Sequence, residues 1–464
     1  MRCSKYLLLL TLSFSVWAQT QLFASATNTL SWQKAADSNN DLVSADLRGE
    51  ALWPLLEDIA HQTGWHVLVE PGSDRLADVK FNSLPPGDAL KKLLGDLNFA
   101  LVPQTNGPDF LYVFMTTIRA ATQKVVVPPV VKHRHVSNQL MVKLKPGADI
   151  DALAKSLGAK IIGRNDKLHT YLLEFGDAAS TDAALAQLQN NSDVQSVSYN
   201  NLFDPPPTPE AVASAPVSPP QLTLDASTPN NPCDPVVGLI DTQVQPLGNG
   251  LDQFLETPVS VVGNTTPVTG TITHGTAMAE TILNAVSQTS GGHSAVKILP
   301  VNVYESGDST TSWDVALGVQ AAVDNGATVL NMSLGSSDNS SVLADIIQQA
   351  QAQGIVIFAS AGNTPVASPT YPAALPGVNA VTALGAPGQL ASYADYGSFV
   401  EMALPGTSFV FQGNQAYVVQ GTSPAAAYAT GIAAGTKNVN CGSWPQIIGL
   451  MAGQYRVPAA ATGQ

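Results

Sequence analysis

The sequence predicts an α/β fold, a parallel sheet with helices on both faces, preceded by two small α+β domains. Three observations carry this. From about Asn231 onward, apolar runs of strand length (Val236 to Ile240, Lys297 to Val303, Ala327 to Leu334, Ile355 to Ala359) lack the polar alternation of a half-solvated sheet, so they predict buried parallel strands. Helical stretches separate them, one capped by Ser312 and ending at Gly326, another capped by Asn339 or Ser340 and ending at Gly354. Upstream, residues 41–115 and 138–200 each mix strand and helix patterns, and Pro-rich segments follow both.

The chain begins with a pattern for export. Arg2 and Lys5 precede an apolar run from Tyr6 to Trp17, too short to span a bilayer, and small-residue cleavage patterns follow at Val16-Trp17-Ala18 and Ala24-Ser25-Ala26. Residues 1–26 are therefore expected to be a signal peptide; a membrane anchor is the alternative. No later run reaches the roughly 20 apolar residues of a spanning helix, so a soluble protein, secreted or periplasmic, is expected after signal removal. Of 464 residues, 45% are apolar and only 12% charged, which excludes a disordered polyelectrolyte. A net charge of −14 with no basic block argues against nucleic acid as a partner. Of three cysteines, Cys3 leaves with the signal. Cys233 and Cys441 remain as a pair expected to form a disulfide in an oxidising compartment, with two separate buried thiols as the alternative.

Residues 27–117 form the first expected domain. Leu42 to Leu47 alternates as a strand, and Leu52, Leu55, Leu56 and Ile59 fall at helical spacing. Trp65 to Val69 and Val79 to Phe81 are further strands, Asp88 opens a second helix, and Asn106-Gly107 joins Phe99 to Val102 with Phe110 to Phe114 as a hairpin. The pattern resembles the short N-terminal domain of secretins and TonB-dependent receptors, which implies an envelope partner. A linker, residues 118–137, follows. Residues 138–204 read as strand, helix, strand, strand, helix, strand, a ferredoxin-like order. Residues 205–231, with Pro205-Pro206-Pro207 and Pro219-Pro220, are expected to be an extended, exposed linker open to cleavage, leaving residues 232–464 as the last domain.

That domain carries the chemistry. Asp241 ends the first strand, His274 opens a helix in Thr273-His274-Gly275-Thr276, Asn363 ends a strand in Ala361-Gly362-Asn363, and Ser423 opens a helix in Gly421-Thr422-Ser423. Ligand chemistry in parallel sheets sits past the carboxyl ends of the strands. A serine hydroxyl needs a base to become a nucleophile, a carboxylate fixes the tautomer of that base, and a tetrahedral oxyanion needs preorganised donors. Ser423, His274 and Asp241 fit the first roles. The Asn363 amide and the Ser423 backbone N–H fit the oxyanion hole.

Together these segments resemble the subtilase family, the subtilisin-like serine peptidases, over residues 235 to about 435. Asn331-Met332-Ser333-Leu334-Gly335, Tyr371-Pro372-Ala373 and Ala403-Leu404-Pro405-Gly406 match further landmarks. The resemblance implies cleavage of polypeptide substrates through an acyl-enzyme, with Ser333, Leu334, Gly335, Ala361 and Gly362 binding substrate. It also implies that residues 138–200 are a propeptide, a folding aid and inhibitor that the enzyme cuts away. The chain departs from the family pattern at Gln243, Ala277, Glu280, Pro424 and Tyr428, none of them a proton-transfer group. A catalytically impaired binding or docking protein is the alternative. No cofactor is required. The family's calcium loop would fall between Ala279 and Lys297, a stretch with too few carboxylates to make structural calcium a firm expectation. The short segment from Thr364 to Thr370 leaves side-chain preference unread.

Overall fold

The computed structural model describes residues 29–33, 41–104, 108–125, 134–212, 222–227, 233–263, 271–305, 309–385, 388–413 and 415–458. The signal-peptide segment, Asn106-Gly107 and Pro219-Pro220 lie outside them. The chain divides into two compact units, Met1–Pro128 and Pro129–Gln464.

In the first unit, Thr29–Gln33, Leu42–Ala51 and Leu76–Leu84 form an antiparallel three-stranded sheet. Asn98–Val102, Phe110–Phe114, His66–Val69 and Gln123–Lys124 form a four-stranded one. The helix Leu52–Thr63 buries Leu55, Leu56 and Ile59, and Pro86–Leu94 buries Leu90, Leu93 and Leu94, one apolar stripe each, against Val67, Leu111 and Val113. Gly64 ends the first helix at φ 78°, a left-handed cap that favours glycine. The strand Thr29–Gln33 was not expected from sequence.

The second unit begins with the expected ferredoxin-like order: His135–Leu144, Ile150–Leu157, Lys160–Asn165, Thr170–Glu174, Ala178–Leu188 and Val194–Phe203. The linker expected over 118–137 is thus shorter, because His135 already lies in the first strand. Strand alternation gives this small sheet two apolar faces. Leu140, Val142, Tyr171 and Leu173 pack under its own helices. Met141, Leu172 and Phe203 point the other way and join a core with Trp313, Val315, Leu343 and Ile346 of the large domain.

The large domain is built on a seven-stranded parallel sheet, in the order Val259–Ser260, Lys297–Asn302, Val236–Asp241, Val329–Met332, Val356–Ser360, Asn379–Leu384, Met402–Pro405. The helices His274–Ser290 and Thr422–Asn440 pack along each other in one core. Ser312–Asp324 and Ser341–Ala352 belong to the core beneath the small domain. Alanines 425, 426, 427, 429, 433 and 434 are fully buried, so the Ser423 helix is slim enough to lie against the sheet. Cys233 and Cys441 bring their Cα atoms to 5.3 Å, inside the range a disulfide spans.

Two expectations need correction. Thr311, not Ser312, caps its helix, accepting from the Asp314 N–H; the Ser312 hydroxyl instead accepts from the Asn201 N–H of the small domain at 2.9 Å. The described part of the Pro-rich segment is extended but not free. Pro205 to Pro207 lie in a cleft of the large domain, Pro209 is buried, and Glu210–Ala211 pairs with Tyr417 and Val418. Three-dimensional contacts override the local expectation of an exposed linker there.

Candidate active site

Asp241 and His274 come together first. Asp241 ends a strand flanked on both sides by parallel neighbours and is 1% exposed. His274 opens its helix after the Thr273 cap, whose hydroxyl accepts from the Thr276 N–H at 3.2 Å. The Gly275 N–H donates to the Thr242 hydroxyl at 2.8 Å, and a Cβ at Gly275 would collide with the Thr242 carbonyl. Only glycine lets the helix start this close to the strand end. His274 Nδ1 lies 2.8 and 2.9 Å from the two Asp241 carboxylate oxygens. The Thr242 N–H donates to Asp241 Oδ1 at 2.7 Å. A carboxylate only accepts, so this network puts the imidazole proton on Nδ1 and leaves Nε2 as the base. Nε2 is buried without a hydrogen-bond partner.

Ser423 and Asn363 form the second cluster. The Ser423 hydroxyl donates to the Ser333 carbonyl at 3.4 Å, and the Ser333 hydroxyl donates to the Ser423 carbonyl at 3.1 Å. No hydrogen bond joins Ser423 to His274 in this state; such bonds are often long or unmade before substrate arrives. Asn363 Oδ1 accepts from the Thr422 N–H at 2.8 Å and from the Thr422 hydroxyl at 3.1 Å. The Asn363 carbonyl oxygen is therefore occupied, and its NH₂ is the free half.

A cleft of ≈ 740 Å³ has Ser333, Leu334, Gly335, Gly362, Asn363 and Ser423 in its walls, whereas Asp241 and His274 are not among its lining residues. Ala361 is not among the lining residues: it is fully buried and donates its N–H to the Val381 carbonyl at 2.9 Å. The chain's own Asp204, Pro205, Pro206 and Pro207 also line the cleft. They are anchored on one side by Leu202 and Phe203 pairing with Thr311 and Thr310, and on the other by Glu210 and Ala211. Among the described residues, no three His, Cys, Asp or Glu side chains form a group able to hold a metal ion.

Sequence reasoning missed Thr422 as the anchor of Asn363, and it missed two buried carboxyls. Glu280, nearly two turns into the His274 helix, accepts from the Phe411 N–H at 2.7 Å, and burial pushes its carboxyl up to about 7. Asp395 lines the cleft, and burial pushes it up to about 6. Asp395 belongs to no recognisable motif, and Glu280 was visible only as a departure from the family pattern in the His274 helix, with nothing to show that it is buried.

Residues 234–449 match the subtilase family, and residues 121–200 match the fervidolysin N-terminal prodomain. The chain is 31% identical over 212 residues to subtilisin DY of Bacillus licheniformis, which covers 43% of this chain and 74% of that protein. It belongs to the subtilase family. A thermophilic serine proteinase of Bacillus sp. strain AK1 is 28% identical over 319 residues, 65% of this subtilase and 78% of that protein. The thermostable alkaline protease of Halalkalibacterium halodurans is 36% identical over 169 residues, 36% of this chain and 47% of that protein. This subtilase thus spans about half the length of that last relative. Among solved structures, fervidolysin from Fervidobacterium pennivorans shares the fold, with a TM-score of 0.52 at 18% identity over 70% of this chain and 58% of that one.

Proposed function

We propose that this subtilase is a serine endopeptidase made as a zymogen. The observation that carries the reading is the Asp241–His274 pair with a partnerless Nε2, in a domain where Ser423 and Asn363 line one cleft. His274 takes the Ser423 proton as the hydroxyl attacks a peptide carbonyl, and returns it to the leaving amine. Asp241 holds the tautomer and stabilises the imidazolium. The oxyanion is met by the Asn363 NH₂ and by the Ser423 N–H at a helix start. Polypeptides are the substrates, and no cofactor enters the chemistry.

The small domain over 138–204 acts as the propeptide and inhibitor. Support comes from the shared apolar core and from the chain segment it delivers across the cleft. Labelling with a fluorophosphonate probe tests the enzyme reading. Wild type that has lost its propeptide should label and Ser423→Ala should not; absence of any serine-dependent label overturns it. Export is supported by Arg2, Lys5 and the apolar run that follows, and a Cys233–Cys441 disulfide suits that destination. Residues 27–117 serve as a docking module for an envelope partner, a reading supported by the strand and helix order alone. Pull-down from envelope extracts with and without residues 27–117 tests it: equal recovery of partners from both sinks the docking reading.

A further inference from the structure

The cleft has a carboxylate under one wall that the chemistry above does not use. Asp395 is 2% exposed yet lines the cleft. Its Oδ1 accepts from the backbone N–H of Thr364 at 2.6 Å and of Val366 at 3.4 Å. Its Oδ2 accepts only from the Thr370 hydroxyl, at 3.2 Å, and lies against Gly362, where any Cβ would collide with it. Gly362 adjoins Asn363 in the cleft wall. The oxygen therefore sits one residue from the Asn363 amide; the carbonyl that amide would hold belongs to the residue before the scissile bond, so that residue's side chain is the one with this wall in reach.

The loop from Thr364 to Thr370 does not require a charge at this position. The two N–H groups reach one oxygen, which an amide carbonyl can supply, and the Thr370 hydroxyl can accept from the amide NH₂ in place of donating to Oδ2. A buried carboxylate without a cation is unfavourable unless a partner arrives. The other ionisable groups in the cleft walls are Arg134, Asp204 and Tyr371, and Arg134 is paired with Asp204. We propose that Asp395 sets the side-chain preference of this cleft, selecting lysine or arginine immediately before the scissile bond. The physical basis is a charge-assisted pair in a dry pocket, which an apolar side chain cannot reproduce. Separately, burial holds the Asp395 carboxyl up at about 6 with no cation drawing it down, so the pocket is anionic in neutral and alkaline solution and neutral in acid.

This inference rests on the peptidase reading, and the test separates the two. Processed enzyme is first titrated with the fluorophosphonate probe; a failure there is a failure of the peptidase reading. On labelled preparations, kcat/KM is measured at pH 8 for peptides that differ only in having Lys, Arg, Leu or Phe before the scissile bond. Wild type should favour Lys and Arg by about 100-fold or more, the scale of a desolvated pair losing one partner. Asp395→Asn should remove that preference, its kcat/KM for the Lys and Arg peptides falling to the level of the Leu and Phe peptides. A wild type that prefers Leu or Phe overturns the proposal, and so does an equal loss on all peptides, which would mark Asp395 as a loop brace only. If the variant does not fold, wild type alone decides. An aryl amidine should inhibit competitively at pH 8 far better than its uncharged amide analogue, and equal inhibition by the two overturns the proposal.

Discussion

Thr422 donates its backbone N–H to the Asn363 carbonyl oxygen at 2.8 Å, and its hydroxyl reaches the same oxygen at 3.1 Å. The residue before Ser423 thereby fixes which face of the carboxamide the cleft sees. On the proposed chemistry, the NH₂ is the half left for a charge that exists only in the transition state. Asn363→Ala should lower kcat by roughly 10²–10³ with little change in KM, a scale borrowed from the loss of such a donor in subtilisin itself. Thr422→Val removes the hydroxyl's bond to Asn363 and the bond it accepts from the Gly362 N–H at 3.1 Å but keeps the backbone donor, so it should cost less than Asn363→Ala. Steady-state kinetics on one peptide substrate checks both. An unchanged kcat in Asn363→Ala removes that amide from the oxyanion site.

Much of this was legible because the chemistry sits where regular structure ends. Asp241 closes an apolar run and His274 and Ser423 open helices, so both period and punctuation point at them. The small domain was legible for the same reason: Leu140, Met141 and Val142 alternate between two apolar faces. What was not legible depends on distant partners. Pro205 to Pro207 carry every local mark of an exposed linker, and their placement is decided by strands such as Tyr417–Val418, about two hundred residues away. Asp395 stands in a short polar stretch, and only the fold buries it beneath Gly362. Ser312 looks like a helix cap, yet its hydroxyl is committed to Asn201 across the interface with the small domain.

Glu280 should give the fold a pH dependence of definite sign. Its carboxyl is raised by burial to about 7, above the ordinary 4.5 of an exposed glutamate. Between those values the folded chain holds a proton that the unfolded chain has released. The associated stability is full below about 4.5 and is lost as pH rises through 7, by at most about 3 kcal/mol. Glu280→Gln keeps a neutral acceptor for the Phe411 N–H. It should match wild type in melting temperature at pH 4 and exceed it at pH 8. Parallel melting curves for the two proteins across that range would sink the assignment to Glu280.

The prolines in the cleft bear on where the precursor is cut. A peptide bond followed by proline has a tertiary amide and no N–H, and a proline in a bound strand cannot donate to the strand beside it. Asp204–Pro205, Pro205–Pro206, Pro206–Pro207 and Thr208–Pro209 are all of this kind. On the peptidase reading, a segment with four such bonds in the cleft that Ser423 lines would be a poor substrate, and the propeptide would stay joined while it occupies the cleft. The first residue of the processed enzyme should lie after Pro209 and before about Asn231. Replacing Pro205, Pro206 and Pro207 together with alanine should create a new cut within residues 204–209 and speed activation. Mass spectrometry of the N-terminus decides: wild type cut between Phe203 and Pro209 contradicts this account.

The pairing of Cys233 with Cys441 ties the strand leading to Asp241 to the end of the Ser423 helix. Cys441 occupies that helix's left-handed cap at φ 52°, and the Cα atoms stand 5.3 Å apart across 208 residues of sequence. A cross-link closing so long a loop removes a little over about 5 kcal/mol of freedom from the unfolded chain on the entropic account, and often less in practice. It also joins the two ends of the large domain, and on the zymogen reading it would go on doing so after the propeptide has gone. A peptidase acts on its own opened states, so fewer openings mean slower self-digestion. Cys441→Ser should lower the melting temperature and hasten autolysis, while kcat on a small peptide stays near wild type because neither sulfur touches the cleft. Non-reducing peptide mapping is the direct check, and two alkylatable thiols in the processed protein would refute the bond. Reduced wild type should then behave as the Cys441→Ser variant does, because the loss of the cross-link and not of the cysteine side chain is what opens the domain.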